Sequence, residues 1–134
     1  MANYECCART NYFRVTDEKR YNELFSNLVG TDLEDFTEEK DDVIYHGFGA
    51  YDSIDFGCND EDYDFGVFLT ELQKILPENE AFIYFESGHE KMRYITGFAL
   101  VCTYTSISHM NIVDLAKQEA KRLIGPEYET QTEY

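Results

Sequence analysis

Thirteen carboxylates and a single base, Lys40, fall between Asp32 and Asp64. The acids are Asp32, Glu34, Asp35, Glu38, Glu39, Asp41, Asp42, Asp52, Asp55, Asp60, Glu61, Asp62 and Asp64. Against Lys40 they leave a net −12, within a chain whose total is −16. Carboxylates at this density can pair with the Lys and Arg side chains that elsewhere hold phosphates. Crowding like charges costs stability through self-repulsion, so a chain acidic only for solubility would spread them. The expected partner-binding set is therefore Glu34, Asp35, Glu38, Glu39, Asp41, Asp42, Asp52, Asp55, Asp60, Glu61, Asp62 and Asp64. On one face of a strand alternate residues lie about 6.5–7 Å apart, so these acids are expected in rows. Duplex DNA carries one charge per about 1.7 Å of axis, a field of the same sign and comparable scale. Phe36, Tyr45, Phe48, Tyr51, Phe56 and Tyr63 lie among the acids and are of the type that anchors interfaces. The bland alternative is a solvated acidic face on a structural or interaction protein.

A second chemistry is open to the same stretch. Asp60, Asp62, Asp64 and Glu71 fall at positions 1, 3, 5 and 12 of a calcium-loop pattern. Phe65 stands where the turn of such a loop needs glycine, and Gly66 comes one place late. A β-like segment precedes the loop where an entering helix belongs. The competing expectation is that Asp62 or Asp64 caps a helix.

Other chemistry finds little footing. His46, His89 and His109 are scattered, and Cys6, Cys7, Cys58 and Cys102 form no C-x-x-C pair. No catalytic role and no cofactor are expected. The charge opposes direct binding to nucleic acid and to anionic membranes. No apolar run approaches the length of a membrane span, and the first residues lack a signal-peptide pattern. Reduced thiols in a cytoplasm are the economical expectation.

The elements that must position the acids can be read from periodicity. The chain has 134 residues, 43% of them hydrophobic and 16% aromatic, enough to fold around one core. A strand is expected over residues 4–15. A helix then starts at Thr16 and runs to Gly30, with Tyr21, Leu24, Phe25 and Leu28 on one face. Residues 31–42 fit a short edge strand or loop, and Val43–Tyr51 reads as β, continued by Ser53–Phe56. A second helix carries Phe65, Phe68, Leu69, Leu72, Ile75 and Leu76 and is stopped by Pro77. The run AFIYF (81–85) reads as a buried strand. A turn at Ser87–Glu90 then leads to a strand over about Lys91–Tyr104. The last helix spans about Ile112–Ile124, its face Ile112, Leu115, Ala116, Ala120, Leu123 and Ile124, closed by Gly125–Pro126. The sum is one α+β domain over 1–125, a mainly antiparallel sheet with about three helices on one face, and an acidic tail over 126–134.

The stretches NYFRVTDEKRYNELFSNL (11–28), IYHGFGAY (44–51) and AFIYFESGHEKMRYITGFALV (81–101) resemble small acidic accessory proteins of phages and conjugative elements of Gram-positive bacteria. That class includes antirestriction and anti-CRISPR inhibitors, several of them DNA mimics. The resemblance implies a cytoplasmic inhibitor with a basic nucleic-acid-binding partner, such as a CRISPR effector or restriction complex. It transfers no functional residue.

Overall fold

The computed structural model describes residues 4–58 and 62–132. Six strands form the main sheet in the order β3-β4-β1-β6-β7-β8, and every pairing is antiparallel. They are β1 (Glu5–Thr10), β3 (Glu34–Lys40), β4 (Val43–Ala50), β6 (Phe82–Glu90), β7 (Tyr94–Cys102) and β8 (Ile107–Asn111). Two short strands, β2 (Leu28–Val29) and β5 (Asp55–Phe56), make a separate ribbon at one end. With helices α1 (Glu18–Phe25), α2 (Phe65–Gln73) and α3 (Ile112–Ile124), the fold is α+β, with three helices on a mainly antiparallel sheet.

Local chemistry sets the element ends. Asp17, not Thr16, caps α1: its side chain accepts from the Arg20 N–H at 3.0 Å. Thr16 is drawn away because its N–H and hydroxyl both donate to the Ile75 carbonyl, at 2.8 and 3.2 Å. The helix stops at Phe25, short of Gly30. Leu28 keeps its core position by pairing with Phe56 in the β2–β5 ribbon. Ser53–Phe56 accordingly joins that ribbon and does not extend β4.

The β3–β4 hairpin closes through Asp41 and Asp42 alone, both with positive φ (53° and 64°). That is the geometry of a two-residue turn whose twist matches the strands. The β6–β7 hairpin turns three residues later than expected. Ser87, Gly88, His89 and Glu90 remain in β6, paired to β7 and, through His89, to β1. Gly88 is the cost of that close approach: a Cβ there would lie 2.5 Å from the Glu5 carbonyl oxygen and 2.6 Å from the Tyr4 ring. Lys91–Arg93 makes the turn instead, with Lys91 at φ 50°.

The core lies between one sheet face and α1 with α2. Phe13, Phe48, Phe68 and Phe82 are fully buried there, with ring centroids 5.1 to 6.5 Å apart. Burying each such side chain stabilises by about 1.5–3 kcal/mol, and edge-on aromatic pairs add roughly 0.5–1.5. α3 departs from the expected single helical layer. It follows β8 with no linker, because Asn111 ends the strand and its side chain accepts from the Val113 and Asp114 N–H groups. The helix then lies on the outer face of the sheet, where Ile112 sits over Gly97. No residue of α3 is buried. Among the described residues no helix is long and apolar enough to cross a membrane.

Candidate functional site

The acidic stretch builds one edge of the main sheet and the end adjoining it. β3 is the outermost strand, and its sequence EDFTEEK exposes every residue except the half-buried Phe36. The register with β4 assigns the faces. Glu34 and Glu38 stand with Phe36 on the outer face, while Asp35 and Glu39 stand with Thr37 on the other. Phe36 and Thr37 interrupt both rows. Carboxylates on one face are therefore four residues apart, about 13–14 Å, and not at the alternate spacing the sequence suggested. Seen from the edge the two faces interleave. From Glu34 to Asp42 six acids against Lys40 leave net −5. Six strand steps and the turn span about 23 Å, or roughly one charge per 4–5 Å. A single nucleic-acid strand carries one per about 3.4 Å and a duplex one per about 1.7 Å, so the density is nearer the single strand.

The remaining acids continue round the β2–β5 end. Tyr51 donates its N–H to the Thr31 carbonyl, and Gly57 donates to the Asn27 carbonyl, which ties the loop carrying Asp52 and Asp55 to the segment between α1 and β3. Asp52 accepts from the Ser53 N–H, and Asp55 from the Phe56 N–H, both at 2.8 Å. Asp62 is exposed, with its carbonyl accepting from Cys58. Asp64 is the N-cap of α2 and accepts from the Gly66 N–H at 2.9 Å. Asp60 and Glu61 lie outside the described residues.

Ion pairs are found outside this region and not within it, although Asp17, Glu78, Glu86, Asp114, Glu127 and Glu129 also form none among the described residues. Glu23, Glu71, Glu80, Glu90 and Glu119 each pair with Arg or Lys. Among the described residues Glu34, Asp35, Glu38, Glu39, Asp41, Asp42, Asp52, Asp55, Asp62 and Asp64 form no ion pair. The calcium-loop residues are committed in part elsewhere. Beyond the capping role of Asp64, Glu71 lies 3.0 Å from Lys74 Nζ and 3.5 Å from Arg20 Nη2. The Lys74 contact above all, with Arg20, holds the Glu71 carboxyl below its ordinary range.

The aromatic anchors divide. Phe48 and Phe56 belong to the core, and Phe36 lies half-buried over Gly47 with the Arg9 guanidinium 5.2 Å from its ring centre. Tyr51 and Tyr63 stand out at the acidic end, 68% and 60% exposed, and they remain available to a partner.

Two acids take part in polar contacts inside the fold. Glu86, nearly buried, accepts from the Tyr84 hydroxyl at 2.9 Å and from Tyr4 at 3.4 Å. Burial, above the other influences, pushes the Tyr84 phenol far up, so it stays a donor. Glu18 meets buried His46 at 2.8 Å, beside the Tyr21 ring. The four cysteines are free thiols. Burial raises Cys6, which contacts Asp52 and Ser53, and pushes Cys102 up to about 11.

No protein family, curated protein or solved structure matches the chain.

One surface went unforeseen. A groove of about 500 Å³ runs along the outer sheet face, lined by Phe85, Gly97, Ala99, Met110, Ile112 and Leu115 among others. Its signal was present in AFIYF and GFALV, which are apolar at consecutive positions. Such runs mark strands covered on both faces, not one.

Proposed function

We propose that this protein is a non-enzymatic cytoplasmic inhibitor whose acidic β3 edge occupies the basic nucleic-acid channel of a bacterial defence nuclease, a CRISPR effector or restriction complex. The observation that carries this reading is the run of ten described acids, from Glu34 to Asp64, that form no ion pair, whereas Glu23, Glu71, Glu80, Glu90 and Glu119 elsewhere each have an Arg or Lys partner. Crowding carboxylates with no internal base costs self-repulsion, which a basic partner relieves. Complementary fields of this kind raise the association rate and select the partner more than they add affinity. Tyr51 and Tyr63, exposed beside the acids, supply apolar contact of the kind that hot spots use.

The edge position of β3 favours one rival. Charged side chains on an edge strand block pairing with another sheet, and that alone justifies some of them. A partner-free role predicts that neutralising the acids causes aggregation and nothing else.

The test uses a panel of purified CRISPR effectors and restriction complexes with labelled target DNA. The inhibitor should displace DNA from one of them, and raising salt should weaken its own binding steeply. Paired reversals at Glu38 and Glu39, or at Asp41 and Asp42, should each reduce affinity more than the paired reversal at Glu127 and Glu129 in the tail. Equal effects from the two regions, or affinity indifferent to salt, would sink the proposal.

A further inference from the structure

The sheet carries a charge gradient from one edge to the other. The acids crowd β3, whereas residues 82–132, which hold β6, β7, β8, α3 and the segment after it, contain six acids and five bases. The two edges are five strand spacings apart, about 24 Å, roughly three Debye lengths at physiological salt. Two copies of so acidic a chain therefore repel least at the α3 side.

That side is also apolar and uncovered. A helix of 13 residues is marginal in water without tertiary packing, yet α3 buries none of its residues. Leu123 and Ile124 stand 69% and 68% exposed at its C-terminal end. At its N-terminal end Ile112 and Leu115 wall the groove, with Phe85 and Met110 opposite at 45% and 41% exposure. One surface thus presents both a projecting apolar pair and a cleft. A twofold contact requires this combination, since each copy must offer what the other receives.

We propose that this face binds a second copy of the chain, forming a twofold dimer through α3. Ile112 and Leu123 lie eleven residues apart, nearly on one line of the helix and about 16–17 Å along it. An axis crossing α3 midway sets Leu123 of each copy over Ile112 and the groove of the other. Glu119, within the stripe, is already neutralised by its ion pair with Arg122. Both β3 edges point away from the axis, so dimerisation presents two acidic edges at once.

The experiment is sedimentation velocity on the whole chain across roughly 1–100 µM, at low and high salt. A reversible dimer is expected whose affinity holds or tightens with salt, because salt screens repulsion and leaves apolar contact intact. This sign is opposite to that expected for the acidic edge and its target. Leu123→Asp with Ile124→Asp should weaken the dimer by at least about tenfold. Phe85→Lys, on the groove wall, should do the same from the other side of the contact. Circular dichroism checks that each variant is folded. A monomer throughout the range for the unaltered chain overturns the proposal. So does a folded Phe85→Lys or double variant that dimerises undiminished.

Discussion

The Asp41–Asp42 turn offers a perturbation in which stability and binding should move in opposite directions. Both residues hold positive φ, 53° and 64°, in the two-residue loop between Lys40 and Val43. Asn-Gly is the pair that such a turn favours most. Replacing Asp41→Asn and Asp42→Gly removes a left-handed penalty that is about 1–2 kcal/mol for an ordinary side chain and smaller for Asp. Glycine gives back roughly 0.5–1 kcal/mol through the entropy of the unfolded chain. Losing two charges beside Glu38 and Glu39 relieves repulsion of about 0.5 kcal/mol per neighbouring pair in water. The net expectation is a gain of about 1 kcal/mol. For a chain of 134 residues this raises the melting temperature by about 3–4 °C. Urea titration should show a higher midpoint at unchanged slope. Affinity for the proposed basic partner should fall, since two of six hairpin acids are gone. A lower midpoint, or a changed slope, would refute the account of the turn. Unchanged partner affinity would refute the account of the edge.

Three further outcomes follow from buried or crowded positions. Cys102, wholly buried and raised by burial to about 11, should make stability level up to about pH 9 and then decline towards pH 11. In that window the unfolded thiol ionises while the folded one keeps its proton; Cys102→Ala should make the decline shallower, leaving the part due to Cys6, Tyr21 and Tyr84, as urea midpoints across the range would show. Gly88→Ala should destabilise by about 2–3 kcal/mol, because its Cβ meets the Glu5 carbonyl and the Tyr4 ring, and a loss below about 0.5 kcal/mol by denaturation would discredit that contact. Calcium and chelator should leave the melting temperature unmoved, given the commitments of Asp64 and Glu71; a calcium-dependent rise abolished by Asp62→Asn would reverse this.

How much of this was legible in the sequence depends on the kind of signal. The α2 face from Phe65 to Leu72, its cap at Asp64 and the span of α3 all follow from helical period and capping chemistry, which are local, whereas Ile75 and Leu76 are buried beyond the helix end at Gln73. The place of the β6–β7 turn was not legible. Gly88 looks like a turn residue, but it is there for the close approach of β1, a tertiary fact. β8 escaped because ISHMN is a short edge strand with little alternation. The apolar stripe of α3 was legible, but most of it stays exposed, and the half-buried residues of the helix are Val113, Lys117 and Ala120. Periodicity says which residues share a side and nothing of what covers them. In the acidic stretch the sequence supplied the charges but not the rows, because Phe36 and Thr37 break the alternation on both faces.

The junction at Asn111 constrains how this chain can change. Strand and helix share a residue there, so the phase of one is locked to the phase of the other. One residue added between Asn111 and Ile112 would rotate the helical stripe by about 100°, lifting Ile112 from Gly97 and turning the apolar side elsewhere. Lengthening is tolerable at the β6–β7 turn or beyond Gly125, where no such phase is kept. Descendants of this sequence should accumulate insertions at those two places and none at the strand-to-helix step.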